Sequence, residues 1–240
     1  MSTPEPLPDP GAVTHEHPDV TGGWLRPAVF GAMDGLVSNF ALIMGVTGGS
    51  SDRTPVIVAG LAGLAAGAFS MAAGEYTSVA SQRELAQAQV AIERDEIVRN
   101  GPAEQAELAA AFVAKGIDEA TAREVAQQVH RDLDHAVAVH AAEEMGIDPD
   151  DLPSPVVAAA SSFLAFTAGA LVPLLPLVLG ATTSAPTIVL SLLALFACGA
   201  VVTRVTSRPW WYGGLRQLVL GGAAAGVTYL IGHAVGTGVG

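Results

Sequence analysis

In "GLAAGAFSMAAGE", residues 63–75, Gly63, Gly67, Met71 and Glu75 recur every fourth position. On a helix that spacing puts all four on one face, so a thioether and a carboxylate follow two glycines. A second such group lies upstream in "AVFGAMDGLVSNFALIMGV", residues 28–46, where Asp34 interrupts a run that is otherwise almost wholly apolar. Ser38 stands one turn beyond Asp34 on the same face, and Asn39 adds an amide. An ionisable group at bilayer depth costs at least ~2.5–3.5 kcal/mol and persists where it faces a bundle interior or an aqueous path. Carboxylates suit hard and borderline divalent cations, whereas a thioether adds a soft contact that Mg²⁺ and Ca²⁺ do not need. Asp34, Ser38, Asn39, Met71 and Glu75 are therefore candidates for lining a cation path. The plainer alternatives are that Asp34 is hydrated near the end of its span and that Met71 is core packing.

A second group of acids lies between residues 81 and 152. Glu93 with Glu96, and Glu104 with Glu107, are i, i+3 pairs on one helix face each. Like charges at this spacing are destabilising unless solvated or neutralised by a cation. Leu85, Ala88, Ile92 and Glu96 form a helical stripe, which predicts that Glu96 continues an inward face. Glu104 and Leu108 do the same. Val125, Val129, Leu133, Val137 and Ala141 form a third stripe, with His140 at its edge and Glu144 just beyond. Glu93, Glu96, Glu104, Glu107, Glu144 and His140 are the candidate metal ligands, against the alternative of a solvated acidic surface. His130, His135 and His140 are five residues apart, about 140° on a straight helix, so His130 and His135 are read as surface residues.

The elements that must hold these groups are legible in the hydropathy. Only 14% of the 240 residues are charged, against about 25% in ordinary soluble domains, and the mean hydropathy is +0.45. Five apolar stretches, at roughly 27–48, 56–79, 155–180, 187–206 and 214–236, reach the length of about 20 residues that a helical span requires. Residues 81–152 differ, with 16 acidic and 6 basic side chains. The expected organisation is a polar, disordered tail at 1–23, spans one and two within 24–80, a helical metal-binding insert at 81–152, and spans three to five within 153–240. The insert is predicted to hold three helices. The first extends span two as far as Asn100-Gly101-Pro102, a short one covers about 103–114, and a long one runs from an Asp118 cap to Gly146. No strand-like alternation appears, and the fold class is all-α. A net charge of −12 argues against a nucleic-acid partner. Cys198, the only cysteine, stands in an apolar run and matches no metal motif, and His15 and His17 in the tail are weak ligand candidates. Arginines in "RVTSRPWWYGGLR" (204–216) and in the insert predict that both face the cytoplasm, with the N-terminus there and the C-terminus outside. The polar tail and the Ala/Gly/Val-rich spans point to a bacterial plasma membrane.

"FGAMDGLVSNFALIMGV", then "AGAFSMAAGEYTSVASQRE", then two ExxE pairs in a helical insert resemble the vacuolar iron transporter family over about residues 24–236. The resemblance implies a five-span homodimer with its path at the dimer interface. It implies movement of Fe²⁺, and often Mn²⁺, out of the cytoplasm by proton antiport. No prosthetic group is implied, the divalent metal being substrate and ligand of the insert. Asp34 and Met71 take the positions that line the family's path. Glu93, Glu96, Glu104, Glu107 and Glu144 take those of its metal-binding domain. Where the family often has a methionine pair before the last of these glutamates, this chain has His140 and Ala141. Two other classes remain as alternatives: a membrane-anchored carboxylate-bridged metal oxidase, although no Glu-x-x-His occurs in the insert, and a metal sensor.

Overall fold

The computed structural model describes residues 23–50, 52–203 and 208–239. The predicted disordered tail, its His15 and His17, and Arg204 lie outside the described residues. Among the described residues seven helices follow in order, α1 (Leu25–Gly49), α2 (Arg53–Ala114), α3 (Glu119–Val129), α4 (Leu133–Met145), α5 (Pro155–Val178), α6 (Ala185–Val202) and α7 (Trp210–Val239). Among the described residues there is no strand. Five of the helices, α1, α2, α5, α6 and α7, are long and apolar enough to cross a bilayer.

α1 is the central element. Its Gly31 and Gly35 lie directly on the α5 backbone. A Cβ on Gly31 would stand 2.7 Å from the Ser162 carbonyl oxygen, and one on Gly35 would strike that of Phe166. Nearer its C-terminus α1 meets α7, where Thr228 donates to the Ala41 carbonyl oxygen at 2.6 Å and Gly232 lies against Gly45. Leu36, Phe40 and Met44 fill the seam between α1, α6 and α7 with Leu195 and Ala225. Small residues where backbones touch, with branched side chains between, are how helices associate in lipid, where no hydrophobic force separates them from the solvent. The pairings run parallel for α1–α5 and α1–α7 and antiparallel for α1–α2 and α6–α7. The N-terminal end of α1, the insert, the C-terminal end of α6 and the N-terminal end of α7 therefore lie on one side of the bundle.

α2 is 62 residues long, with a break in helical dihedrals only at Asn100 (φ −130°, ψ 32°), two residues before Pro102. At about 1.5 Å per residue, the part before Asn100 measures about 70 Å, against about 30 Å of hydrocarbon. More than half of it thus projects from the bundle and carries the insert. The predicted stop at Asn100-Gly101-Pro102 coincides with this break: Asn100 leaves the helical region, and a second helical segment runs on through Pro102 to Ala114.

The predicted long helix at 118–145 is two. α3 starts at the Asp118 cap, whose carboxylate accepts from Thr121 N–H at 3.1 Å. It stops at His130. α4 starts at a second cap, Asp132, which accepts from His135 N–H at 2.8 Å. Gly146 closes α4 in the left-handed conformation (φ 65°), as the sequence predicts. The turn at 130–132 contains no glycine or proline, and an aspartate side chain that out-competes the helix for a backbone N–H makes the break. The insert thus has four helical segments around Ile97, Leu108, Ala109, Ala122, Ala126, Val129, Ala136 and Val137. Leu133 is 37% exposed, so the stripe expected through it is interrupted. The stripe Leu85–Ala88–Ile92–Glu96 is also corrected. Leu85 is 62% and Ile92 52% exposed, and the inward face of α2 runs through Val90, Glu93 and Ile97.

Candidate functional site

The antiparallel packing of α1 on α2 leaves an open cleft of about 440 Å³. Asp34, Ser38 and Asn39 line it from α1, and Gly63, Gly67, Ser70, Met71, Gly74 and Glu75 from α2, with Phe166 of α5 at its back. All five residues singled out in the spans therefore meet at one place. Gly63 and Gly67 of α2 face side chains rather than a neighbouring backbone. A Cβ on Gly63 would strike the Leu42 side chain and crowd Asn39, and one on Gly67 would strike the Phe166 ring, so both glycines make room for the side chains that wall the cleft.

Ser38 donates to Asp34 Oδ1 at 2.7 Å, which leaves the second carboxylate oxygen for another partner. Asn39 is 2% exposed. Its amide nitrogen donates to the Ala170 carbonyl oxygen at 2.7 Å, which orients the side chain, and its Oδ1 is buried with no hydrogen-bond partner among the described residues. A buried amide oxygen without a donor is costly unless a water or an ion meets it. Asp34, Glu75, this oxygen and the Met71 thioether make a donor set of oxygens and one soft sulfur, which fits a partly dehydrated borderline divalent cation.

The second cluster stands in the insert. One ring nitrogen of His140 and one carboxylate oxygen each of Glu93 and Glu104 lie within 4.8 Å of one another. α2 supplies Glu93 from before the kink and Glu104 from after it, and α4 supplies His140. His140 is fully buried and Glu93 is 6% exposed. His140 Nδ1 is 3.0 Å from Glu144 Oε1 in a hydrogen bond. It is also 2.9 Å from Glu93 Oε1, yet that oxygen has no hydrogen-bond partner. His140 Nδ1 thus faces two carboxylates and bonds only one of them, Glu144. Ion pairs from Arg94 to Asp134 and from Lys115 to Glu143 tie α2 to α4 around the cluster.

Burial, followed by the Glu144 charge, pushes the Glu93 carboxyl above the usual carboxylate range, with His140 acting in the opposite direction. Burial and then Glu107 push Glu104 up as well. Glu96 and Glu107 are exposed and contribute their negative charge to Glu93 and Glu104 from nearby. Of the six candidates, Glu93, Glu104, His140 and Glu144 are thus drawn together, and Glu96 and Glu107 flank them.

His130 is placed differently from its sequence reading. Its Nε2 is buried and unpartnered, and its ring meets that of His140 edge to face, with centroids 5.1 Å apart. The break at 130–132 brings it there, and the aspartate at 132 was the one local signal of that break. His135 is exposed, as expected.

Residues 25–233 match the model of the VIT family. The chain is similar to the vacuolar iron transporter of Acanthamoeba castellanii, with 41% identity over 65% of this chain and 56% of that protein. It is similar to vacuolar iron transporter 1 of Oryza sativa subsp. japonica, at 28% identity over 93% of this chain and 91% of the relative. Vacuolar iron transporter homolog 5 of the same plant is 35% identical over 86% of the chain and 77% of its own length. The match thus spans just over half of the first relative and nearly all of the second. The chain belongs to the VIT family.

Proposed function

We propose that the protein carries a divalent transition metal, Fe²⁺ and also Mn²⁺, across a membrane and out of the cytoplasm in exchange for protons. The observation that carries this reading is the cleft in which Asp34, Asn39, Met71 and Glu75 converge from two helices long enough to span a bilayer. The relatives named as iron transporters support the choice of cargo, and family membership sets the oxidase alternative aside. The acidic insert gathers metal on the side where the arginines lie, which the positive-inside rule makes cytoplasmic. Metal then moves to Glu75, Met71 and Asp34. Protonation of a carboxylate weakens its hold on the ion, so one site can release metal and accept a proton.

A homodimer closes the cleft on its open side. Its support is the exposed apolar stripe of Leu85, Ala88 and Ile92 on the projecting part of α2, together with Phe69, 68% exposed, beside the cleft. Lipid covers the remaining apolar faces. The relatives' names refer to a vacuole, and the expectation of a bacterial plasma membrane draws no support from them.

The test is metal movement into proteoliposomes under a pH gradient. Wild-type protein is expected to move Fe²⁺ with counter-movement of protons. Asp34→Asn removes the charge, keeps the shape, and is expected to lower the rate at least tenfold. Flux at the wild-type rate in this variant would remove Asp34 from the path.

A further inference from the structure

The histidine pair at the α3–α4 turn, with His140 fully buried and His130 half-buried, is the feature that the glutamates do not account for. His130 Nδ1 is 2.8 Å from the Ala126 carbonyl oxygen. A carbonyl only accepts, so Nδ1 carries the hydrogen and Nε2 is left with a lone pair. That Nε2 is buried and has no donor among the described residues. The same holds for His140. Its Nδ1–H donates to Glu144 Oε1 at 3.0 Å, and its Nε2 is buried without a partner. A ring held through Nδ1–H by a carbonyl or carboxylate, with its other nitrogen free, is the usual state of a metal-ligating histidine.

The distance between the rings fits one shared ion. With a metal–nitrogen bond of about 2.0–2.1 Å, a ring centre stands about 3.2 Å from the ion, and two such rings at a tetrahedral angle have centres about 5 Å apart. The observed separation is 5.1 Å. An edge-to-face pair without metal can also stand at this distance, but it leaves two buried lone pairs unsatisfied, each a cost to the fold.

We propose that His130 and His140 bind one borderline divalent cation of the Fe²⁺, Co²⁺ or Zn²⁺ type through their Nε2 atoms. This forms an imidazole position beside the glutamate cluster, from which Mg²⁺ and Ca²⁺ are excluded. The pair depends on the Asp132 cap. On an unbroken helix the two rings would point about 80° apart, ten residues from each other, whereas the turn at 130–132 folds them together. The proposal deepens the metal-binding reading of the insert and does not depend on transport.

The experiment is X-ray absorption at the cobalt edge on the full-length protein in nanodiscs with one equivalent of Co²⁺. It compares wild type with His130→Phe, which keeps a ring against His140 but no donor, and with His135→Phe as an exposed control. Outer-shell scattering counts imidazoles. Two are expected in wild type and His135→Phe, and one in His130→Phe, together with at least a tenfold weaker Co²⁺ affinity and an unchanged affinity for Mg²⁺. Fewer than two in wild type overturns the proposal whether or not the variants fold. An equal count in wild type and His130→Phe overturns it too. Two imidazoles without flux in proteoliposomes removes the transport reading and leaves this one standing; flux with none does the reverse.

Discussion

Glu93→Gln should push the stability of the metal-free protein and its metal affinity in opposite directions. Glu93 is nearly fully buried, and burial raises its carboxyl above the usual range. A raised folded-state pKa means that the fold favours the protonated acid. That contribution is fully present below the unfolded pKa and is lost as pH rises through the folded one. Metal-free wild type should therefore weaken as pH climbs from the ordinary carboxylate range toward neutrality. Glutamine keeps the shape without the charge and removes this dependence. The relief corresponds to about 1–3 kcal/mol, the cost of a buried polar group short of partners. For a chain of this length each kcal/mol moves the midpoint by about 2–4 °C, so the variant should melt about 2–12 °C higher at pH 8 without metal. With Co²⁺ the order reverses. The variant lacks one anionic ligand, and each tenfold loss of affinity is about 1.4 kcal/mol. Thermal melts of both proteins at pH 5 and pH 8, with and without Co²⁺, test this. A variant that melts lower than wild type at pH 8 without metal, or gains as much from Co²⁺, would refute the placement of Glu93 as a buried, metal-neutralised acid.

Asp132→Ala removes the cap of α4 and should cost about 1 kcal/mol; a denaturant titration reads it, together with a fall in Co²⁺ affinity from the loosened histidine pair. Gly35→Ala presses a methyl into the Phe166 carbonyl oxygen. It should cost about 1–3 kcal/mol as α1 and α5 are forced apart, seen as a lower melting midpoint in detergent. Asn39→Leu loses the hydrogen bond to the Ala170 carbonyl, worth about 1 kcal/mol. It also removes the buried oxygen from the cleft, and proteoliposome flux should fall far more than stability.

Much of this architecture follows from local rules that the chain states openly. A run of about 20 apolar residues crosses a bilayer whatever its neighbours are, because its backbone has no other way to satisfy its hydrogen bonds in lipid. Five such runs, the Asp118 and Gly146 caps and the shared face of Met71 and Glu75 were therefore readable from composition and spacing alone. The choice of α5 as the partner of Gly31 and Gly35, the sinking of Glu93 and not Glu96, and the meeting of His130 with His140 were decided in three dimensions. Each depends on where one helix stops and which face the next presents. At 130–132 a single aspartate capping bond settles that against the helical pattern, and a rule of fixed angular spacing no longer applies once the helix is broken.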